Sequence, residues 1–252
     1  MNYTKCSNPL HKIERSEGKR TMSYGQFCPI AKALDVVGER WTLLIIRELL
    51  TGATRFNTLQ RGLPGISPTL LTKRLKQLEE AELLIRKRIQ GQKGYEYFPT
   101  EACKELLPVI EAVGNWGMRW ERHRMEEDDY DLQLLMAHLE RSVQTDKLIG
   151  NETVIRFHFC DLTDHANWWL VVEGDEIDVC LHDPGKEVDI YFNVPLKTMC
   201  ELWMGEISYR KAIADDLLML VGPKALTKHV ESWLKPSIFA GIKPAREIVA
   251  PA

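Results

Sequence analysis

The sequence predicts an α+β chain of two domains, a mainly helical one that closes on a β-hairpin and a second that combines an antiparallel sheet with helices. Three observations predict it. Apolar residues between Ile30 and Glu80 recur at three- and four-residue spacing, whereas those between Thr153 and Phe192 alternate in short runs broken by Gly, Pro and Asp. The charge divides as well: residues 1–124 carry 21 Lys and Arg against 13 Asp and Glu, residues 125–252 carry 12 against 23, and the whole chain is −3. At 252 residues the chain also exceeds the usual size of one compact domain. The boundaries that follow are a disordered extension over 1–22, a basic domain over 23–122, an acidic linker with a linker helix over 123–150, a second domain over 151–240 and a tail over 241–252.

Met1 to Thr21 is polar and unpatterned, and Met22 offers an alternative start. Two helices follow between Ile30 and Leu50, interrupted by Gly38-Glu39-Arg40, and a third, short one runs from Arg55 to Gln60. Gly62-Leu63-Pro64-Gly65 then forces a turn. In the next helix Ser67 suits the cap and Pro68 the first position, and the pattern runs to Glu80. Leu71, Leu75 and Leu78 share one face. Thr69, Thr72, Lys73 and Lys76 share the opposite one, without a carboxylate until Glu79 and Glu80 at the far end. Hydroxyls and ammonium groups can donate to phosphates and base edges, which suits a helix that enters a major groove; an ordinary surface helix presents a polar face too. Leu83 to Ile89, the turn Gly91-Gln92-Lys93-Gly94 and Tyr95 to Phe98 predict a β-hairpin with a basic tip, a wing. From Arg55 to Lys93 nine basic residues stand against three acidic ones.

The motifs Cys28-Pro29-Ile30, Gly38-Glu39-Arg40-Trp41-Thr42-Leu43, Arg55-Phe56 and Leu63 to Leu75 resemble those of the HxlR-type winged helix-turn-helix transcriptional regulators. The likeness covers residues 25–120. It implies a homodimer on an inverted-repeat operator, with Thr69, Thr72, Lys73 and Lys76 in the major groove, Arg55, Arg88 and Lys93 on the backbone and Ser67 as cap or phosphate contact. Glu39 stands where that family is expected to carry a small residue.

After Pro99-Thr100 a helix carries Leu106, Val109, Ile110, Val113, Trp116 and Trp120 at helical spacing. Periodicity leaves two readings open, a closed monomer core or a dimer seam, and the resemblance favours a seam built on Val109, Val113, Trp116 and Trp120. Cys28, at the start of the first helix, is either a small buried residue or a redox sensor whose thiol the helix N-terminus activates. The six cysteines have no C-x-x-C spacing, so free thiols are expected.

In the acidic half, Leu132 to Leu139 predicts the linker helix, and four strands are expected at Thr153–Phe159, Asn167–Val172, Ile177–Leu181 and Val188–Phe192, joined by short turns as an antiparallel meander. Helices over 195–204, 208–214 and 223–234 flank a strand at Leu217–Val221. Val188 to Phe192, Leu196 to Ser208 and Leu220 to Leu226 resemble the sterol-carrier-protein-2-like fold over residues 130–240. That resemblance implies an apolar cavity between sheet and helices, with Trp168, Trp169, Phe192, Met199, Trp203, Met204, Met219 and Trp233 as lining candidates; the same residues would equally fill a core.

No nucleotide-binding glycine motif, P-loop, H-E-x-x-H or G-x-S-x-G occurs, and the histidines lack metal-ligand spacing, so no enzyme, cofactor or metal is expected. Without an apolar run of about 18 residues or a signal-peptide core, a cytoplasmic location is expected, with no membrane partner. The expected partners are double-stranded DNA, a second copy and a small apolar effector. Two rivals remain: an apolar-ligand carrier, and a regulator whose second domain only stabilises the dimer.

Overall fold

The computed structural model describes residues 23–245, so the expected extension 1–22 and the end of the tail lie outside the described residues. The chain separates into two compact units, one ending at Arg40 and one beginning at Trp41. In the first, helix α1 (Pro29–Val37) begins on Cys28 with proline at its first position. Asp35 accepts hydrogen bonds from the Ser23 hydroxyl at 2.9 Å and the Tyr24 N–H at 2.7 Å, which fasten the preceding segment to the helix.

The second unit opens with α2 (Thr42–Leu50), α3 (Phe56–Arg61) and α4 (Pro68–Glu80). Strands β1 (Leu84–Arg88) and β2 (Tyr95–Pro99) then pair antiparallel, Leu84 against Pro99 and Arg88 against Tyr95. The Tyr97 N–H donates to the Thr54 carbonyl at 2.8 Å and Arg55 bridges Glu96, so the chain entering α3 lies along β2. Ile45, Ile46, Leu49, Leu59, Leu71, Leu75, Leu78 and Leu84 are buried, one stripe from each element, as the helical spacing requires. A short helix α5 (Glu101–Lys104) precedes α6 (Leu107–Trp120).

Helix α7 (Leu132–Ser142), expected as a linker, gives Leu135, Met136 and Leu139 to the core of the following sheet. That sheet has the order β5-β4-β3-β6-β7, from β3 (Glu152–Phe159), β4 (Asn167–Glu173), β5 (Glu176–Cys180), β6 (Ile190–Val194) and β7 (Met219–Val221). The expected meander ends at β5, because β6 pairs parallel to β3. The physical cause is the 181–189 connection, which crosses from the β5 edge to the far side of β3. Lys186 fastens it to Glu152 and Glu173, and the Asp189 carboxylate accepts the Val154 N–H at 2.8 Å. Parallel pairing needs such a crossover rather than a hairpin.

Helices α8 (Leu196–Trp203) and α9 (Tyr209–Ala214) follow as expected. The helix expected over 223–234 is instead two, α10 (Lys224–Thr227) and α11 (Val230–Trp233), since His229 leaves helical geometry at φ −129, ψ 39. The break lets the buried Trp233 indole N–H donate to the Leu226 carbonyl at 3.1 Å, satisfying a donor that would otherwise be stranded in the core.

Helix α7 also reaches back to α2. Glu48 of α2, fully buried, accepts from Arg47 of its own helix at 2.8 Å and from Arg141 of α7 at 2.6 Å. One turn before Arg141, the His138 ring stacks on Trp203 at 4.3 Å. Burial, and then the Arg47 and Arg141 guanidiniums, push the His138 pKa down to about 3. In the unfolded chain it titrates near 6.5, so the folded state favours the neutral ring. Its stabilisation is complete above pH 6.5 and is lost as pH falls from there towards 3. Unfolding free energies from urea titrations should therefore drop below pH 6.5 with a slope of up to about 1.4 kcal/mol per pH unit. His138→Phe keeps a stacking ring and should flatten that part of the profile; an unaltered slope would place the acid sensitivity elsewhere.

Candidate nucleic-acid interface

Helix α4 is built as its sequence implies. Gly65, at φ +83, turns the chain into it, a conformation that L side chains rarely adopt. Ser67 Oγ then accepts the Leu70 N–H at 3.2 Å, and Pro68 occupies the first position. Leu71, Leu75 and Leu78 point inward, and Thr69, Thr72, Lys73 and Lys76 are all exposed on the other side. The Thr72 hydroxyl donates to the Pro68 carbonyl at 2.8 Å, which leaves its lone pairs as acceptors. Lys76 lies 3.6 Å from Glu80, a solvent-exposed pair of small energetic weight. Lys73 has no carboxylate partner among the described residues.

The hairpin stands beside this helix. Arg86 of β1 pairs with Glu79 at the end of α4 at 3.4 Å and lies over the Tyr95 ring, 4.5 Å from its centroid. Arg88 closes β1, and Lys93 sits in the turn between Gly91 and Gly94, both at positive φ; both cations are exposed. Arg55 is placed differently from the other basic candidates, since its Nε is 3.0 Å from a Glu96 oxygen on β2. Lys87, 5.0 Å from the Phe98 ring centroid, and Arg86 were not singled out in sequence, although they belong to the same basic run. Sequence reading also passed over Glu48, whose signal was a lone carboxylate inside Leu43-Leu44-Ile45-Ile46-Arg47-Glu48-Leu49-Leu50.

The remaining candidates fall in three places. Val109, Val113, Trp116 and Trp120 line one exposed stripe of α6, a helix with no buried residue. Cys28, half-buried, stands at the N-cap position of α1 in the first unit without a side-chain capping bond; the Cys103 and Cys200 thiols of the second unit are pushed up by burial to about 11 and about 12, which removes them as nucleophiles. Trp168, Phe192, Met199 and Trp233 are packed in one core cluster with Trp203 at its margin, and Met204 is half-buried after α8. Trp169 and Met219 lie on the opposite sheet face, so the eight do not converge on one cavity.

Three helices, an exposed polar face on the last of them and a basic hairpin beside it define the winged helix-turn-helix class. Residues 36–125 match the HxlR-like helix-turn-helix family. YvaP of Bacillus subtilis, an uncharacterized HTH-type transcriptional regulator, is 34% identical over 101 residues, covering 39% of this chain and 94% of the relative. Rv3095 of Mycobacterium tuberculosis, likewise an uncharacterized HTH-type transcriptional regulator, is 42% identical over 89 residues, covering 35% of this chain and 56% of the relative. Among solved structures, the reduced form of the transcriptional regulator YodB from B. subtilis is 32% identical with a TM-score of 0.33, over 36% of this chain and 92% of that one. The chain belongs to the HxlR-like helix-turn-helix family, and over this N-terminal part it is a regulator of the DNA-binding HTH kind. No helix among the described residues is long and apolar enough to cross a membrane.

Proposed function

We propose that the protein binds an inverted-repeat operator as a homodimer, with α4 of each copy in a major groove and the β1–β2 hairpin on the flanking backbone. The observation that carries this reading is the exposed face of α4, where Thr69, Thr72, Lys73 and Lys76 stand clear of the protein with Lys73 unpaired among the described residues. Lysine contacts to phosphate release condensed counterions, so binding should weaken linearly in log–log salt titrations. Titrating the intergenic DNA next to its own gene tests this. Lys73→Ala and Lys76→Ala should each lower the salt slope by about one unit; a variant with unchanged slope and affinity would remove that lysine from the interface.

A specific observation favours a modulating role for the second domain over simple dimer support. Arg141 of α7 ends on the buried Glu48 of α2, so the sheet domain is wired to the helix that packs against α3. A small molecule held by the sheet domain can bias the presentation of α4 only if it binds the two arrangements of that contact unequally.

A further inference from the structure

Helices α8, α9 and α11 and the chain after α11 enclose a hollow of about 310 Å³, at the lower end of the usual range for ligand pockets. Apolar and aromatic residues form much of its wall: Leu202 and Trp203 at the end of α8, Tyr209 at the start of α9 and Leu234 after α11. Two opposite charges line it as well, Glu231 on α11 and Lys235 just beyond, both exposed. They are four residues apart, yet neither forms an ion pair among the described residues. The cause is local: α11 ends at Trp233 and Leu234 is extended at φ −113, ψ 91, so the side-by-side placement that a helix gives such a pair is lost. The Tyr209 hydroxyl has no hydrogen-bond partner among the described residues either. Burial, and then the Glu231 charge, push its pKa up, so it stays protonated and able to donate.

The wall of this hollow is fastened to the end of α7. The Lys235 N–H donates to the Ser142 carbonyl at 2.9 Å, and Leu234 bridges Val143. Trp203 donates through Nε1 to Ser142 Oγ at 2.9 Å while its ring stacks on His138. Ser142 is the last residue of α7 and follows Arg141, which holds the buried Glu48 of α2. A molecule in the hollow therefore touches the same residues that set the end of α7.

We propose that this hollow binds a free 2-amino acid with a large apolar side chain. The ammonium meets Glu231, the carboxylate meets Lys235 and the Tyr209 hydroxyl, and the hydrocarbon body lies against Leu202, Trp203 and Leu234. Both ionic contacts are charge-assisted hydrogen bonds, the strong kind. A simple carboxylic acid leaves Glu231 unmatched, and a simple amine leaves Lys235 unmatched; only a ligand with both charges on one carbon satisfies the two together. The effect of this ligand on α4 rests on the modulating role proposed above for the second domain. The binding itself does not.

The test is calorimetric titration of the full chain with L-phenylalanine, 2-phenylethylamine, 3-phenylpropanoate and 3-phenyl-1-propanol, which share the ring and carry both charges, one or neither. Saturable binding of one L-phenylalanine per chain is expected, about tenfold weaker binding of the amine and of the acid, and none of the alcohol. Glu231→Gln should bring L-phenylalanine down to the level of 3-phenylpropanoate and leave the latter no weaker. Lys235→Met should bring it down to the level of 2-phenylethylamine and leave that amine no weaker. Both side chains are exposed, so the fold tolerates either change, and mere loss of structure would not give this crossed pattern. Equal affinities for the four probes, or binding indifferent to both substitutions, or no saturation by L-phenylalanine, would each overturn the proposal. Because the ligand is read directly, a protein that binds L-phenylalanine but no DNA fails only the operator reading, and the reverse fails only this one.

Discussion

Glu48→Gln is expected to destabilise the protein by about 3–5 kcal/mol, the range for removing one partner of a buried ion pair. The side chain is 0% exposed and stands between two guanidiniums, Arg47 and Arg141, themselves 27% and 23% exposed. An isosteric amide keeps the shape and withdraws the buried charge that bridges them. Arg47 Nη2 also donates to the Gly62 carbonyl at 2.9 Å, so the cluster ties α2 to the end of α3 as well as to α7. Arg141→Met should be milder, because Arg47 still neutralises the carboxylate, and the Glu48→Gln/Arg141→Met double variant should lose less than the sum of the two singles, the signature of direct coupling. Gly62→Ala approaches the same centre sterically: a Cβ there would lie 1.9 Å from Glu48 Oε2 and 2.3 Å from its carboxyl carbon, so the carboxylate would have to leave its partners. Urea unfolding reads all four variants. A loss below about 1 kcal/mol for Glu48→Gln would mean that the buried cluster does not form, since that is the scale of an exposed pair.

How far these features could be read from sequence follows from how local their causes are. Helix α4 was legible because cap, first-turn proline and leucine spine lie within 14 residues of one another, and the hairpin because its glycines and alternation do too. The parallel pairing of β6 with β3 was not, since it depends on where a nine-residue connection lands rather than on any strand's own pattern. The helix broken at His229 was missed for a related reason: Trp233 folds back on Leu226, and that tertiary bond outweighs the helical periodicity. Alternation along β3 puts Arg156 and His158 on the face opposite Phe157. It could not show that Arg156 and Asn193, 37 positions apart, would share that face with their polar atoms unmet, because that needs the register between strands. For α6 the stripe was visible and its direction was not. Periodicity says which residues point the same way, never towards what.

That direction makes the other large prediction: if the proposed dimer forms through this stripe, Trp116→Asp converts it to monomers and weakens binding to the proposed operator by about 100-fold or more, the scale of the advantage that linking two half-sites confers. Val109, Val113, Trp116 and Trp120 are 45%, 53%, 55% and 45% exposed, at positions i, i+4, i+7 and i+11 of one helix. The opposite side of α6 is already occupied, for a Cβ on Gly114 would lie 2.2 Å from the Phe239 ring. The stripe is thus left over once the chain has packed. Burying the exposed half of a tryptophan removes roughly 100 Å² of apolar surface, worth about 2–3 kcal/mol, and in a two-fold interface each substitution is felt twice. Sedimentation should show the mass halved, and a gel shift the lost affinity. Because the side chain stands clear of the monomer core, the urea midpoint of the variant at low concentration should match that of the dissociated parent. A Trp116→Asp protein that sediments as the parent does would take the stripe out of the interface, and one that stays folded, monomeric and fully able to bind the operator would show that recognition needs one copy only.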